Sequence, residues 1–136
     1  MNRPFVFINS AMSADGKISS RDRRQIRISG KEDLMRVDEL RAASDAIMVG
    51  VGTVLADDPG LRVKSRILQE KRTVMGQLKE PFRIVADSNA RTPANAKILG
   101  PGCMIAVSYS APEERLDRLQ PGCEIIKCGT EMVDLP

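Results

Sequence analysis

The stretch from Asp45 to Val63, DAIMVGVGTVLADDPGLRV, constrains the fold more than any other part of the chain. Ala46-Ile47-Met48-Val49 is an apolar run short and bulky enough for a buried strand. Gly50 and Gly52 follow, then Thr53 and a helix-compatible turn over Val54-Leu55-Ala56. Asp57-Asp58-Pro59-Gly60 closes the unit, because Pro59 forbids helical continuation. A strand that feeds glycines at a helix start can bind phosphate, since glycine lets a ligand approach the backbone and the first-turn N–H groups are unpaired. The fuller G-x-G-x-x-G pattern fails at Leu55, so spacing alone favours a plain glycine turn.

Other short apolar runs recur on both sides of this block. Phe5-Val6-Phe7-Ile8 predicts a first strand, and Asp15-Gly16 marks a tight turn with Lys17 beyond it. Arg21, Arg23, Arg24 and Arg27 form a basic, solvated loop. Ser29-Gly30-Lys31-Glu32 matches a capping box and opens a helix whose Leu34, Val37 and Leu40 share one face. Arg41 follows in the last turn, where a cation suits the helix macrodipole. Residues 64–80 are polar without sustained period and read as a long surface loop, with one irregular helical turn at most. Pro81 announces a strand over Phe82–Ala86, which ends in Asp87-Ser88-Asn89, and Arg91-Thr92-Pro93 makes another turn. Met104–Val107 is a fourth strand, Pro112–Leu119 a short helix with Leu116 and Leu119 on one side, and Glu124–Lys127 a fifth strand. Val133-Asp134-Leu135-Pro136 reads as the approach to another helix, with Asp134 at its cap. Strands alternating with helices and long crossovers predict an α/β domain, a mostly parallel sheet flanked by helices.

Composition narrows the function. The 136 residues are most simply one domain, 1–136, large enough to bury a core. A net charge of +3 is too small an excess to argue for nucleic acid, and three Phe and one Tyr offer no stacking platform for bases. The apolar runs are too short to span a bilayer and no signal peptide opens the chain, which is read as cytoplasmic. The three cysteines, Cys103, Cys123 and Cys128, form no C-x-x-C pair and read as reduced and structural. Histidine is absent, which removes Ser-His and Cys-His nucleophilic pairs and every histidine-ligated zinc site. No metal is expected. Chemistry must come from carboxylates, Lys, Arg, hydroxyls or a cofactor.

NSAMSADGK, LRAASDAIMVGVGTVLADDPGLRV and RIVADSNARTP together resemble the reductase family of riboflavin biosynthesis, the diaminohydroxyphosphoribosylaminopyrimidine reductases. The resemblance runs from Pro4 to Asp134, and it is most like the archaeal form that stands alone. It implies a dihydrofolate-reductase-like fold, NADPH as cofactor, and a ribosylaminopyrimidine 5′-phosphate as small-molecule substrate, reduced at the ribose C1′. Such a reaction needs an electrophilic carbon, which the open-chain imine of the sugar offers, and a nicotinamide held within near-attack distance. It also implies a homodimer, and a longer domain of which this chain would be the N-terminal portion, lacking a glycine-rich E-G-G-G-type segment.

By the same resemblance, cofactor contacts fall on Ala11, Met12, Thr53, Asp57, Ser88, Arg91, Thr92, Pro93, Ala94 and Val133. Ala11 and Met12 would lie near the nicotinamide, and Ser88 and the Arg91 turn near the adenosine phosphate end. Arg41, Leu61 and Lys64 would meet the substrate, the two cations suiting a terminal phosphate. Asp57 would be the catalytic carboxylate, orienting the ring or relaying a proton. The fused zinc deaminase of bacterial relatives needs His and P-C-x-x-C, and no histidine is present. Two alternatives stand beside this reading. One is a reductase of the same fold acting on the deaminated pyrimidine or a pterin, and the other is a non-catalytic binding module.

Overall fold

The computed structural model describes residues 3–22 and 28–134. Helix α1 (Lys31–Ala43) leads to strand β1 (Ala46–Gly50), and α2 (Val51–Asp57) begins at the next residue. Helix α3 (Arg66–Val74) precedes β2 (Phe82–Ala86) and β3 (Cys103–Val107). Helix α4 (Glu113–Leu119) and a single 3-10 turn at Gln120–Gly122 then lead to β4 (Glu124–Lys127). The four strands form one sheet in the order β1-β2-β3-β4, every neighbouring pair parallel. The expected α/β class with a parallel sheet is therefore what the chain forms.

Register decides which side chains become core. Val49, Val85, Ile105 and Ile125 stand in one row across the sheet, with Ile47, Cys103 and Val107 on the same face. Onto that face pack Val51 and Val54 of α2, Ala90, Ala96 and Ile98 of the β2–β3 connection, and Leu116 and Leu119 of α4. All the connections between strands thus contribute to one side of the sheet. The opposite face carries Met48, Ile84, Met104 and Ile126, and it stays open enough that Met48 is 43% and Ile126 39% exposed.

Several local expectations are corrected. Phe5–Ile8 forms no strand: the segment has no regular structure and its side chains face solvent, Phe5 at 90% and Ile8 at 92%. A strand exists only by pairing, and this segment has no partner strand among the described residues. Residues 64–80 are not a loop, since they contain the nine-residue α3. Its buried anchor is Arg72, whose guanidinium donates to the carbonyls of Ala42 (2.6 Å), Ser44 (2.8 Å) and Leu78 (2.9 Å). An arginine as the inward residue breaks the apolar period, which is why the helix looks like loop in sequence.

The capping box also fails to form. Gly30 is the N-cap of α1 and no side chain caps it, while Ser29 hydrogen-bonds the Asp33 carboxylate. Bonds from Ser29 and then Arg36 hold that carboxyl below its ordinary value. On α1, Asp38 is buried, whereas Leu34 remains exposed and Val37 and Leu40 are half-buried. The basic loop reading at Arg23, Arg24 and Arg27 lies outside the described residues, as does the end of the C-terminal helix reading at Leu135-Pro136. The Asp15-Gly16 turn is present, with Gly16 at φ 78 and its N–H donating to the Ser13 carbonyl at 2.9 Å.

Ile105, fully buried in the central strands, tests this packing. Ile105→Ala is expected to lower the unfolding free energy by about 2–5 kcal/mol. Urea unfolding measures it, and a loss below about 1 kcal/mol would mean that the sheet face is not the core.

Candidate functional site

In a parallel sheet the strands' C-terminal ends lie along one edge, so the segments that follow them collect there. Four such segments meet at this edge: the β1–α2 junction, residues 87–94, residues 108–111 and residues 128–134. They are stitched by short-range bonds. Ser108 donates to the Ser88 carbonyl from both its backbone N–H (3.1 Å) and its hydroxyl (2.7 Å). Tyr109 and Ser110 donate backbone N–H groups to the carbonyls of Gly129 (2.9 Å) and Thr130 (3.1 Å). The Val133 N–H donates to Ser88 Oγ at 3.0 Å. Two positions that the resemblance assigned to cofactor, Ser88 and Val133, are therefore in direct contact. Gly129 makes this turn possible: its φ is 78, and a Cβ there would collide with the Met132 carbonyl oxygen.

The 87–94 turn is rigid for a stated reason. Asp87 is fully buried, and its Oδ2 accepts from both the Thr92 N–H (2.7 Å) and the Thr92 hydroxyl (2.8 Å). Its other oxygen, Oδ1, is buried with no partner. Ala90 turns the chain at φ 51. The result pins Thr92 inward and leaves Arg91 exposed, with no hydrogen bond or ion pair among the described residues. Ala90 to Ala94, with Arg115 and Arg118 of α4, line an open cavity of about 360 Å³.

Helix α2 carries the next two positions. Thr53 and Asp57 are four residues apart and share one helix face, while Val51 and Val54 are buried on another. Asp57 is half-buried and its carboxylate makes no hydrogen bond or ion pair among the described residues. Its neighbour Asp58 has a structural task instead. It closes α2 in the left-handed region at φ 42, and its Oδ1 accepts from the Lys97 N–H at 2.8 Å. That bond ties α2 to the connection that also holds the Arg91 turn. A Cβ at Gly50 or Gly52 would meet nothing within 4 Å, so the packing of this chain does not demand glycine there.

The positions assigned to substrate assemble around α1. Asp38 receives the N–H groups of Lys64 (2.7 Å) and Ser65 (2.8 Å) on its two carboxylate oxygens. One turn on, Arg41 Nη1 donates to the Arg62 carbonyl at 3.3 Å. Glu80 holds the same segment from the other side by accepting from the Val63 N–H at 2.8 Å. Arg41 and Lys64 are thus brought to one segment, and the Lys64 ammonium has no hydrogen bond or ion pair among the described residues. Leu61 differs: its side chain is part of the core cluster, so only its backbone, at φ 49, is available to a ligand. Ala11 and Met12 are not brought to the other positions. They lie on the exposed 3–22 segment, which the Arg36 to Asn9 bond (3.0 Å) connects to α1.

Burial works against thiolate formation at two of the three cysteines, Cys103 and Cys123. All three thiols are free, and burial followed by the charge of Cys103 pushes the Cys123 thiol up to about 11. Burial also raises Cys103, with Arg83 partly opposing the rise. Neither is a thiolate at neutral pH.

Comparison with known proteins identifies the family. Residues 4–136 match the family model described as the RibD C-terminal domain. The chain belongs to that family. The RibD-type chain is 53% identical over 135 residues to the 2,5-diamino-6-ribosylamino-4(3H)-pyrimidinone 5′-phosphate reductase of Archaeoglobus fulgidus, covering 98% of this chain and 62% of the relative. The enzyme of the same name from Methanothermobacter thermautotrophicus is 46% identical over 135 residues, with 98% and 59% covered. The chain therefore spans about three-fifths of the length of these relatives. Among solved structures, Acinetobacter baumannii RibD superposes with a TM-score of 0.66 at 26% identity, over 93% of this chain and 32% of that one.

Five residues that shape this RibD-type site escaped sequence reasoning: Asp38, Asp58, Asp87, Arg115 and Arg118. The last two had a visible signal, since they sit three apart beside Leu116 and Leu119 on a helix that the sequence predicts. Asp38 and Asp58 did not, because their partners Lys64 and Lys97 lie 26 and 39 positions away, and Asp87 meets Thr92 five positions on inside an irregular turn that has no period to read. The cysteine assignment is testable by native alkylation. Cys123 is expected to resist iodoacetamide near neutral pH and to gain reactivity about tenfold per pH unit between pH 7 and 9. Rapid, pH-independent labelling at pH 7 would contradict it.

Proposed function

We propose that this domain serves the NADPH-dependent reduction of 2,5-diamino-6-ribosylamino-4(3H)-pyrimidinone 5′-phosphate to its ribitylamino product in riboflavin biosynthesis. The observation that carries the reading is the delivery of Arg41 and Lys64 to one segment, fixed by the two bonds from Asp38. Two neighbouring cations with donors to spare suit a sugar phosphate. The names of the archaeal relatives, given above, supply the substrate class.

The residues present fit a nicotinamide dinucleotide. The Ser88–Val133 contact and the Arg91–Ala94 cavity lie at the strands' C-terminal edge, where open α/β sheets take such ligands. When bound, the nicotinamide supplies the hydride that C1′ of the open-chain imine accepts, while the imine nitrogen takes a proton. Asp57 has the free carboxylate needed to orient the ring or relay that proton, and Thr53 shares its helix face. In this reading Thr92, Pro93 and Ala94 line the adenosine end, and the Leu61 backbone borders the substrate. The chain is the N-terminal portion of a longer reductase domain that works as a cytoplasmic homodimer. No described helix is long and apolar enough to cross a membrane.

Arg41→Ala is expected to raise KM for the phosphorylated pyrimidine about tenfold or more while KM for NADPH changes little. An unchanged substrate KM would leave Arg41 with only its bond to the Arg62 carbonyl. The ring itself supplies the other test. The aminated pyrimidine should give the higher kcat/KM, because a site that pairs with the amino group leaves groups unpaired against the carbonyl analogue. Faster turnover of the deaminated compound would overturn that choice of substrate and leave the reductase reading intact.

A further inference from the structure

A cationic concavity lies at the 87–94 turn, and two of its arginines come from another element. Burial of Leu116 and Leu119 turns Arg115 and Arg118 of α4 outward, three residues apart on one side of the helix. Arg115 Nη1 donates to the Asn89 carbonyl at 3.1 Å, which seats the helix's guanidinium against the turn. Arg118 pairs with Glu114, an exposed contact of little strength that competes weakly for the guanidinium. Arg91 arrives from the turn, held there by the paired bonds between Thr92 and the buried Asp87. Three guanidinium groups therefore border one cavity of about 360 Å³, with the Glu114 carboxylate bonded to one of them.

Guanidinium groups crowded at one mouth repel one another unless an anion lies between them, and their planar forks match the oxygens of a phosphate. The Arg91 position alone would be read as part of a cofactor turn; Arg115 and Arg118 make it a three-sided cradle. We propose that Arg115 and Arg118 of α4 act with Arg91 to hold a phosphate monoester on the adenosine ribose, the 2′-phosphate that separates NADPH from NADH. They are specificity-determining residues contributed by a helix that takes no part in the reaction. This inference rests on the nicotinamide reading above, and it extends that reading by naming the residues that choose between the two nucleotides.

The test is calorimetric titration of the full chain with adenosine 2′,5′-bisphosphate and with adenosine 5′-monophosphate. The protein is expected to prefer the bisphosphate by about tenfold or more, the worth of one or two charge-assisted hydrogen bonds. Arg115→Gln is expected to remove most of that preference while leaving binding of the monophosphate unchanged. Because Arg115 also bonds Asn89, Arg118→Gln is the second variant; its side chain is exposed and, among the described residues, bonds only within α4. A preference that survives in both variants, or equal binding of the two nucleotides by the unaltered protein, overturns the proposal. Reduction of the pyrimidine with NADH as readily as with NADPH would sink it as well and leave the reductase reading standing. A bisphosphate preference lost in the variants, in a protein that reduces no pyrimidine, would support the proposal and overturn the reductase reading instead.

Discussion

Parallel pairing in sequential order is the constraint from which the remainder of this structure follows. Each strand must be followed by a return path to the far end of the sheet, and connections of one hand return along one face. The core records that outcome, since Val54, Ile98 and Leu116 come from three different connections and meet the same row of strand residues. The same order collects the segments after β1, β2, β3 and β4 at one edge. The candidate cofactor positions after β1, β2 and β4 lie there because of topology, whereas Ala11 and Met12, on the exposed segment before α1, do not.

Buried charge does much of the positioning. Arg72 gathers carbonyls from the end of α1 and from the turn before β2, and Arg83 donates to the carbonyls of Ile98 (3.0 Å) and Pro101 (2.8 Å). Burial lowers the pKa of Arg83 from its ordinary value, with the nearby Arg62 charge adding to the fall. Asp38 and Asp87 do the converse, receiving backbone N–H groups from segments with no regular structure. A buried charge without such partners costs far more than these bonds return, so each clamp permits one local arrangement and penalises others. That is how a site made of loops acquires fixed geometry.

The open sheet face and the exposed Phe5–Ile8 segment are the other consequence of one-sided winding. Each connection sends residues to the core side, while on the other side Met48 and Ile126 remain 43% and 39% exposed. An apolar sheet face left uncovered is unusual for a monomeric soluble protein.

The sequence by itself determined the class and the main sheet. Phe82–Ala86 and Glu124–Lys127 form strands over the bounds that their apolar runs predict, and Pro112 stands at the cap of the helix predicted after it. These elements were legible because their signals are local: apolar period, glycine, proline. The family was legible as well, because the motif block from Leu40 to Val63 keeps order and spacing. Only the tertiary structure decided that Phe5–Ile8 stays unpaired, that a polar stretch becomes α3, and that Leu61 turns into the core. Tertiary contact also decided that Arg115 and Arg118 stand beside Arg91. Each of these depends on a partner distant in the chain, a strand neighbour, a carbonyl or a facing helix. No window of local sequence contains that partner.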